Sequence, residues 1–130
     1  MSLSIIILDD DAIQTNMFNN VLRHHYTGQD INLTFLTDGD EAISMIENNS
    51  GHTNLLITDI NHPGVNGLEL AHLCKKKYPH VIVLIQTAFA GDEYLEEARK
   101  YADFVLQKPY KIGDLTRIID KILDRAGGIS

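Results

Sequence analysis

Residues 55–67 read LLITDINHPGVNG, and this stretch decides how the rest of the chain is interpreted. Apolar and β-branched residues run up to Asp59, and the residues that follow include a proline and two glycines. This pattern predicts a buried strand that ends in a loop. Asp59 then lies at the carboxyl end of its strand, and in open parallel α/β sheets this edge is where ligands bind. Asp59 is therefore the candidate reacting group.

The composition indicates one globular domain. The chain has 130 residues, 44% of them hydrophobic and 22% charged, which allows a real core and argues against disorder. The net charge of -7 argues against direct binding to nucleic acid and favours a metal ion or a basic partner. A single cysteine, Cys74, suits a reducing compartment, and no signal-like or membrane-spanning run is present, so a cytoplasmic protein is expected.

Strand-like and helix-like segments alternate along the whole chain. Short β-branched runs predict strands, and apolar side chains at helical spacing predict the helices between them. The predicted strands are residues 4–8, 31–36, 55–59, 81–85 and 102–107. The predicted helices are residues 12–25, 38–48, 68–77, 92–101 and 112–125, and the buried face of the first is expected to carry Ile13, Met17, Phe18 and Val21. Residues 1–3 and 126–130 are expected to be flexible ends, left from expression or belonging to a linker.

The βα order predicts a doubly wound α/β fold with a five-stranded parallel sheet. Strands joined by helical crossovers of this length are parallel, and right-handed crossovers place helices on both faces. The flavodoxin-like strand order 2-1-3-4-5 follows, with the ligand site between strands 1 and 3. Asp9 and Asp10, at the end of the first strand, are then expected beside Asp59.

Three carboxylates at one edge of a sheet repel one another unless a cation lies among them. Mg²⁺ prefers carboxylate, carbonyl, water and phosphate oxygens, so Asp9, Asp10 and Asp59 predict a site for Mg²⁺ or Mn²⁺. Asp59 can then act as a nucleophile toward a phosphoryl group and form an aspartyl phosphate. Thr87 and Lys108, near the ends of the fourth and fifth strands, offer a hydroxyl and an ammonium group to stabilise the phosphoryl oxygens.

The chain resembles the response-regulator receiver domains of two-component signalling, the CheY-like superfamily, over nearly its whole length. The matching residues are Asp9-Asp10, Asp59 in DINHPGVNG, Thr87 in QTAFA and Lys108 in KPY. No single motif is specific, but these motifs occur in the family's order and at the expected strand ends.

The resemblance implies a role for each matching residue. Asp59 would be the phosphoacceptor, and Thr87 and Lys108 would stabilise the phosphoryl group. The metal ligands would be Asp10, Asp59 and the backbone carbonyl of Asn61, with Asp9 acting through water. The same resemblance implies a cis peptide bond before Pro109, since cis bonds are largely confined to proline.

The resemblance also implies the function and the partners. Such a domain receives a phosphoryl group from a sensor histidine kinase or a histidine phosphotransfer protein and changes conformation. It then controls a downstream effector protein or a covalently attached output domain. A regulatory protein of this kind catalyses only its own phosphorylation and dephosphorylation, and it is not expected to bind nucleic acid or a membrane.

Two positions depart from the family pattern. The family usually has methionine where His62 stands, and a tyrosine or phenylalanine at the switch position, where Val105 stands. Phe104 is adjacent, but side chains alternate along a strand, so it is expected to point to the opposite face. These departures leave the phosphorylation site intact and concern the relay of the signal from it.

Two other functions fit parts of the pattern. A Mg²⁺-dependent phosphatase of the haloacid-dehalogenase type also forms an aspartyl phosphate, and residues 9–11 could mimic its D-x-D motif, but nothing in 130 residues supplies its cap domain. A flavodoxin-like binder of cobalamin or FMN is the other. The cobalamin motif D-x-H-x-x-G is one position out here, and three acids after the first strand would repel an FMN phosphate.

Overall fold

Five strands and five helices alternate in a computed structural model of the protein, which describes residues 2–9, 12–28, 30–48, 53, 55–60, 66–88, 92–108 and 110–125. The strands are β1 (Ser2–Leu8), β2 (Asp30–Leu36), β3 (Leu55–Asp59), β4 (Ile82–Thr87) and β5 (Phe104–Gln107). The helices are α1 (Ala12–His25), α2 (Gly39–Asn48), α3 (Gly67–Lys77), α4 (Asp92–Tyr101) and α5 (Ile112–Arg125). None of the helices so described is both long and apolar enough to cross a membrane.

The strands form one parallel sheet in the order β2-β1-β3-β4-β5. This order confirms the predicted doubly wound fold. The register pairs Ile7 of β1 with Ile57 of β3, and Asp59 at the end of β3 with Gln86 of β4. The carboxyl ends of β1, β3 and β4 therefore lie side by side.

Two apolar clusters cover the two faces of the sheet. The first, here called the α1/α5 core, contains Leu3, Ile5, Ile7, Leu55, Ile57 and Leu84 from the sheet and Phe18, Leu22, Leu115, Ile119 and others from α1 and α5. The second, the α2–α4 core, contains Ile6, Leu8, Leu56, Val83 and Ile85 with Ala42, Ile46, Leu70, Cys74 and Ala98 from α2, α3 and α4. Alternate residues of each strand thus face opposite cores, as expected for a parallel sheet covered on both sides.

The largest differences from the predicted strand boundaries, of two residues each, are at the start of β1, the start of β5 and the end of β4. β1 begins at Ser2, and Leu3 is buried in the α1/α5 core, so the expected flexible start does not include these residues. β5 begins at Phe104 instead of residue 102, because the Ala102 N–H still donates to the Ala98 carbonyl and so extends the end of α4. β4 continues to Thr87, which the pattern placed just beyond the strand.

The buried face of α1 also differs from prediction. Phe18 and Leu22 are fully buried, whereas Met17 is 41% exposed and Val21 is half-buried. Two adjacent apolar stripes satisfy the same helical spacing, and packing against the sheet and α5 selects the stripe that continues to Tyr26. The single proton of the Tyr26 hydroxyl has two acceptors on α5, the Thr116 carbonyl at 3.1 Å and an Asp120 carboxylate oxygen at 2.9 Å.

Candidate functional site

A row of polar side chains extends the α1/α5 face of the sheet past its apolar residues. Near its carboxyl end, each of four adjacent strands has an apolar residue that belongs to or packs against the α1/α5 core. These residues are Ile7, Ile57, Leu84 and Leu106. Alternation therefore predicts that the next residues on this face are Asp9, Asp59, Gln86 and Lys108. These side chains form the candidate site, and the contacts between them agree with this placement.

Lys108 bridges two of the carboxylates. Its Nζ lies 3.1 Å from Asp59 Oδ1, 3.4 Å from Asp59 Oδ2 and 3.6 Å from Asp9 Oδ2. The side chain of Asp9 is 1% exposed, that of Asp59 is 19% exposed and that of Lys108 is 26% exposed. The structure thus brings together three of the predicted site residues, and Asp59 is the carboxylate that solvent or a donor molecule reaches.

The chemistry of the site suits a hard cation. Asp9 and Asp59 supply only oxygen atoms, and one lysine leaves this pair of carboxylates with an excess of negative charge. Oxygen ligands with excess negative charge fit Mg²⁺. Within the part of the chain that the structure describes, no group of three or more His, Cys, Asp or Glu side chains could hold a metal. The predicted ligands Asp10 and Asn61 lie outside the described residues.

His62 and Pro109 also lie outside the described residues. The cis peptide bond expected before Pro109 therefore stays a prediction, which follows from the resemblance alone.

Thr87 is buried at the end of β4, on the face opposite Gln86. Its carbonyl accepts a hydrogen bond from the backbone N–H of Lys108 at 2.8 Å. This bond continues the pairing of β4 with β5 beyond the last strand residue. It fixes the position of the lysine backbone relative to the threonine, so the two predicted phosphoryl-stabilising residues are held together by main chain.

Gln86 is a site residue that the sequence interpretation missed. Its side chain is fully buried, its Nε2 donates to Asp9 Oδ2 at 3.1 Å, and its Oε1 accepts from the Tyr110 hydroxyl at 2.6 Å. The available signal was an amide residue at the end of the otherwise apolar and β-branched strand IVLIQT. A buried amide needs hydrogen-bond partners, so its presence there indicates a polar neighbour.

Gly67 sets the distance between α3 and the end of β3. Its N–H donates to the Ile60 carbonyl at 2.9 Å, and a Cβ added to it would fall on the carbonyl oxygen of Asp59. Asn66 caps this helix, because its side-chain oxygen accepts from the Glu69 N–H at 3.0 Å. The sequence pattern indicated only a loop at this glycine, whereas the structure uses it for the close approach of α3 to the Asp59 backbone.

Val105 and Phe104 face opposite sides of the sheet, as predicted. Val105 packs against the α2–α4 core, and Phe104 packs against the α1/α5 core. The switch position on the α2–α4 side therefore carries a valine, and the adjacent ring does not reach it.

Comparisons with known proteins agree with this geometry. The family model of the response regulator receiver domain matches residues 5–120. The chain is 31% identical over 130 residues to the chemotaxis protein CheY of Pseudomonas aeruginosa, covering 97% of this chain and 100% of that protein. It is also similar to the solved structure of a CheY-like response regulator receiver domain protein from Methanospirillum hungatei JF-1, with a TM-score of 0.79 and 25% identity over 96% of each chain.

A third similarity extends to a receiver domain with bound metal. The receiver domain of the sensor histidine kinase PA1611 from Pseudomonas aeruginosa PAO1 has a magnesium ion coordinated in its active site cleft. The likeness has a TM-score of 0.78 at 19% identity, covers 95% of this chain and 99% of that one, and concerns the fold. The family match and the end-to-end similarity to CheY show that this chain belongs to the response regulator receiver domains, which act as phosphoacceptor signalling switches.

Proposed function

We propose that Asp59 is the phosphoacceptor of this receiver domain and that Mg²⁺ assists the reaction. The observation that carries the proposal is the position of the Asp59 carboxylate, which is accessible at the sheet edge and paired with Lys108 at 3.1 Å. A carboxylate oxygen that solvent reaches can attack phosphorus, whereas the buried Asp9 carboxylate is shielded from a donor molecule.

The transfer forms one bond and breaks one. A carboxylate oxygen of Asp59 bonds to phosphorus as the nitrogen–phosphorus bond of the partner's phosphohistidine breaks. The electron pair of that bond stays on the imidazole nitrogen, which takes up a proton. The product is an aspartyl phosphate on this chain and a neutral histidine on the donor.

Lys108 changes partners during this step. Before transfer its ammonium group neutralises the carboxylates of Asp59 and Asp9. After transfer the Asp59 oxygen is part of a mixed carboxylic–phosphoric anhydride, and the negative charge lies on the phosphoryl oxygens. The partly exposed lysine can follow this charge, and the Thr87 hydroxyl is proposed to donate to a second phosphoryl oxygen.

Bound Mg²⁺ would neutralise the phosphoryl oxygens and orient the incoming group. Its proposed ligands are Asp10, Asp59 and the carbonyl of Asn61, with Asp9 acting through water, as in the family pattern. The excess negative charge of Asp9 and Asp59 over Lys108 supports a cation here. The magnesium ion in the PA1611 receiver domain supports the same choice of metal.

The proposed phosphoryl donor is a sensor histidine kinase or a histidine phosphotransfer protein. The proposed output is a downstream effector protein or an attached output domain, and a cytoplasmic location suits both. The haloacid-dehalogenase type of phosphatase is not favoured, because the family model that matches residues 5–120 is that of the response regulator receiver domain.

A small phosphodonor tests the assignment of Asp59. With acetyl phosphate and Mg²⁺, intact-mass measurement should detect one added phosphoryl group, and acetate leaves as the donor's oxygen–phosphorus bond breaks. Asp59→Asn should abolish the modification, whereas Asp124→Asn, which changes an exposed carboxylate of α5, should not. Full modification of Asp59→Asn, or full modification of the native protein in excess chelator, would refute the proposal.

A further inference from the structure

Two consecutive hydrogen bonds, one buried and one partly buried, connect the acidic site to the segment between β5 and α5. Tyr110 donates through its hydroxyl to Gln86 Oε1 at 2.6 Å, and Gln86 Nε2 donates to Asp9 Oδ2 at 3.1 Å. Gln86 is fully buried, with 0% of its area accessible to solvent. Gln86 is 77 positions from Asp9 in the sequence and 24 positions from Tyr110.

The chemistry of the two ends determines which way the Gln86 amide points. An ionised carboxylate only accepts hydrogen bonds, so the amide nitrogen must face Asp9. The amide oxygen then faces Tyr110, whose hydroxyl must donate to it. The reverse orientation would set the amide oxygen against the carboxylate, and neither of these groups can donate a hydrogen bond. The Tyr110 hydroxyl therefore stabilises the one orientation in which Gln86 can donate to Asp9.

Gln86 and Lys108 both contact the same oxygen of Asp9. The distances to Oδ2 are 3.1 Å from Gln86 Nε2 and 3.6 Å from Lys108 Nζ. Donors directed at one carboxylate oxygen limit rotation of the carboxylate about its last side-chain bond. Of these donors, Gln86 is the one that stays neutral and buried, so its contact persists when Lys108 moves toward a phosphoryl group.

We propose that Gln86 and Tyr110 are positioning residues of the acidic site. Gln86 holds the Asp9 carboxylate in the orientation used for Mg²⁺, and Tyr110 holds the Gln86 amide. This inference rests on the proposed Mg²⁺ site. Because coupling between two sites is reciprocal, bound Mg²⁺ in turn alters the environment of Tyr110, on the face opposite Val105.

The alternative is that the chain of hydrogen bonds only satisfies buried polar groups. In that case, loss of the Tyr110 hydroxyl would lower the stability of the fold without changing Mg²⁺ affinity. A measurement of metal affinity therefore separates a positioning role from a structural one.

The test compares Mg²⁺ affinity by calorimetric titration in the native protein and four variants. Gln86→Leu should weaken Mg²⁺ binding by at most about 10-fold, the lower end of the loss for residues that support a metal site, because Gln86 orients Asp9 and Asp9 acts on the metal through water. Tyr110→Phe should weaken Mg²⁺ binding about 3-fold, because Tyr110 acts through Gln86. For the same reason, the double variant Gln86→Leu/Tyr110→Phe should bind Mg²⁺ like Gln86→Leu alone. Tyr78→Phe is the matched control, since its hydroxyl donates at the same 2.6 Å distance to Glu47, away from the site. It should bind Mg²⁺ like the native protein.

A second measurement needs no variant. The ¹³Cζ resonance of Tyr110 in the native protein should shift when Mg²⁺ is added, whereas that of Tyr78 should not. If Tyr110→Phe and Gln86→Leu bind Mg²⁺ with native affinity, or if the Tyr110 resonance does not move, the positioning role is refuted and the proposed Mg²⁺ site stands. A native protein that binds no Mg²⁺ would refute the metal site itself, and the positioning role with it.

Discussion

Gly67→Ala is expected to damage both the fold and the phosphorylation site, although it adds one methyl carbon. The added Cβ would fall on the Asp59 carbonyl oxygen and lie 3.0 Å from the Asp59 carbonyl carbon and the Ile60 Cα. All of these are backbone atoms, which cannot rotate away as the end of a flexible side chain can. The start of α3 and the end of β3 must therefore move apart.

The magnitude follows from the contacts that are lost or strained. Overpacking a close-packed site costs about 1–3 kcal/mol, and a rigid backbone neighbour favours the upper half of that range. Separation would also lengthen the hydrogen bond from the Gly67 N–H to the Ile60 carbonyl, for about 1 kcal/mol more. The helix propensity of alanine recovers up to about 1 kcal/mol. We expect a net loss of about 2–3 kcal/mol in the free energy of unfolding.

Gly113→Ala is the matched control. Gly113 is exposed in α5, and a Cβ added to it would meet nothing within 4 Å. The free energy of unfolding of the Gly113→Ala protein should stay the same or rise by up to about 1 kcal/mol. Urea unfolding followed by circular dichroism measures both variants. The rate of phosphorylation by acetyl phosphate should fall for Gly67→Ala alone, because its Asp59 backbone is displaced. A Gly67→Ala protein as stable and reactive as Gly113→Ala would refute the close approach of α3 to Asp59.

Three further predictions concern the thiol, a buried hydroxyl and the switch position. Burial, with a smaller contribution from Asp103, raises the pKa of the Cys74 thiol from 9.0 to about 11. The folded state thus keeps a proton that the unfolded state loses, so stability is intact below pH 9 and falls as pH rises toward 11. Urea unfolding of the native protein should show that the free energy of unfolding falls by about 1 kcal/mol by pH 10, and Cys74→Ala should not show this fall. An equal fall in Cys74→Ala would mean that the thiol is not its cause. Tyr26→Phe removes the hydroxyl that bonds to α5 and should lower the free energy of unfolding, measured by thermal unfolding, by about 1–2 kcal/mol. Phosphorylation should stay normal. A variant of native stability would mean that water replaces these bonds. When beryllofluoride and Mg²⁺ are added, the changes in NMR chemical shift should concentrate between residue 88 and the start of α4. Val105 has few rotamers, so little side-chain rearrangement is expected at β5. A large reorientation of Val105 or Phe104 would contradict this prediction.

Local sequence patterns determined the fold and the outline of the site. Apolar runs and helical spacing predicted every strand and helix to within a few residues, and the lengths of the crossovers predicted a parallel sheet. The observed strand order is the one expected for a flavodoxin-like fold. Asp9, Asp59 and Lys108 were predicted to converge because each follows an apolar strand, and parallel strands end at a common edge. This part of the site is visible in the sequence because strand ends are local features and the topology brings them together by rule.

Other features were decided only by tertiary packing. Met17 and Phe18 both fit the helical spacing of α1, and contact with α5 and the sheet decided which one is buried. The approach of Gly67 to the Asp59 backbone depends on the path of the chain between them, which no residue pattern specifies.

The hydrogen bonds of Gln86 show most clearly which features the sequence pattern does not determine. The strand IVLIQT indicates that a buried amide needs partners, but it does not say which ones. Those partners, Asp9 and Tyr110, come from distant parts of the sequence and meet Gln86 only in the folded sheet. The physical reason is that periodicity records the environment of each residue along one element, whereas a hydrogen bond depends on the distance and direction between atoms of different elements.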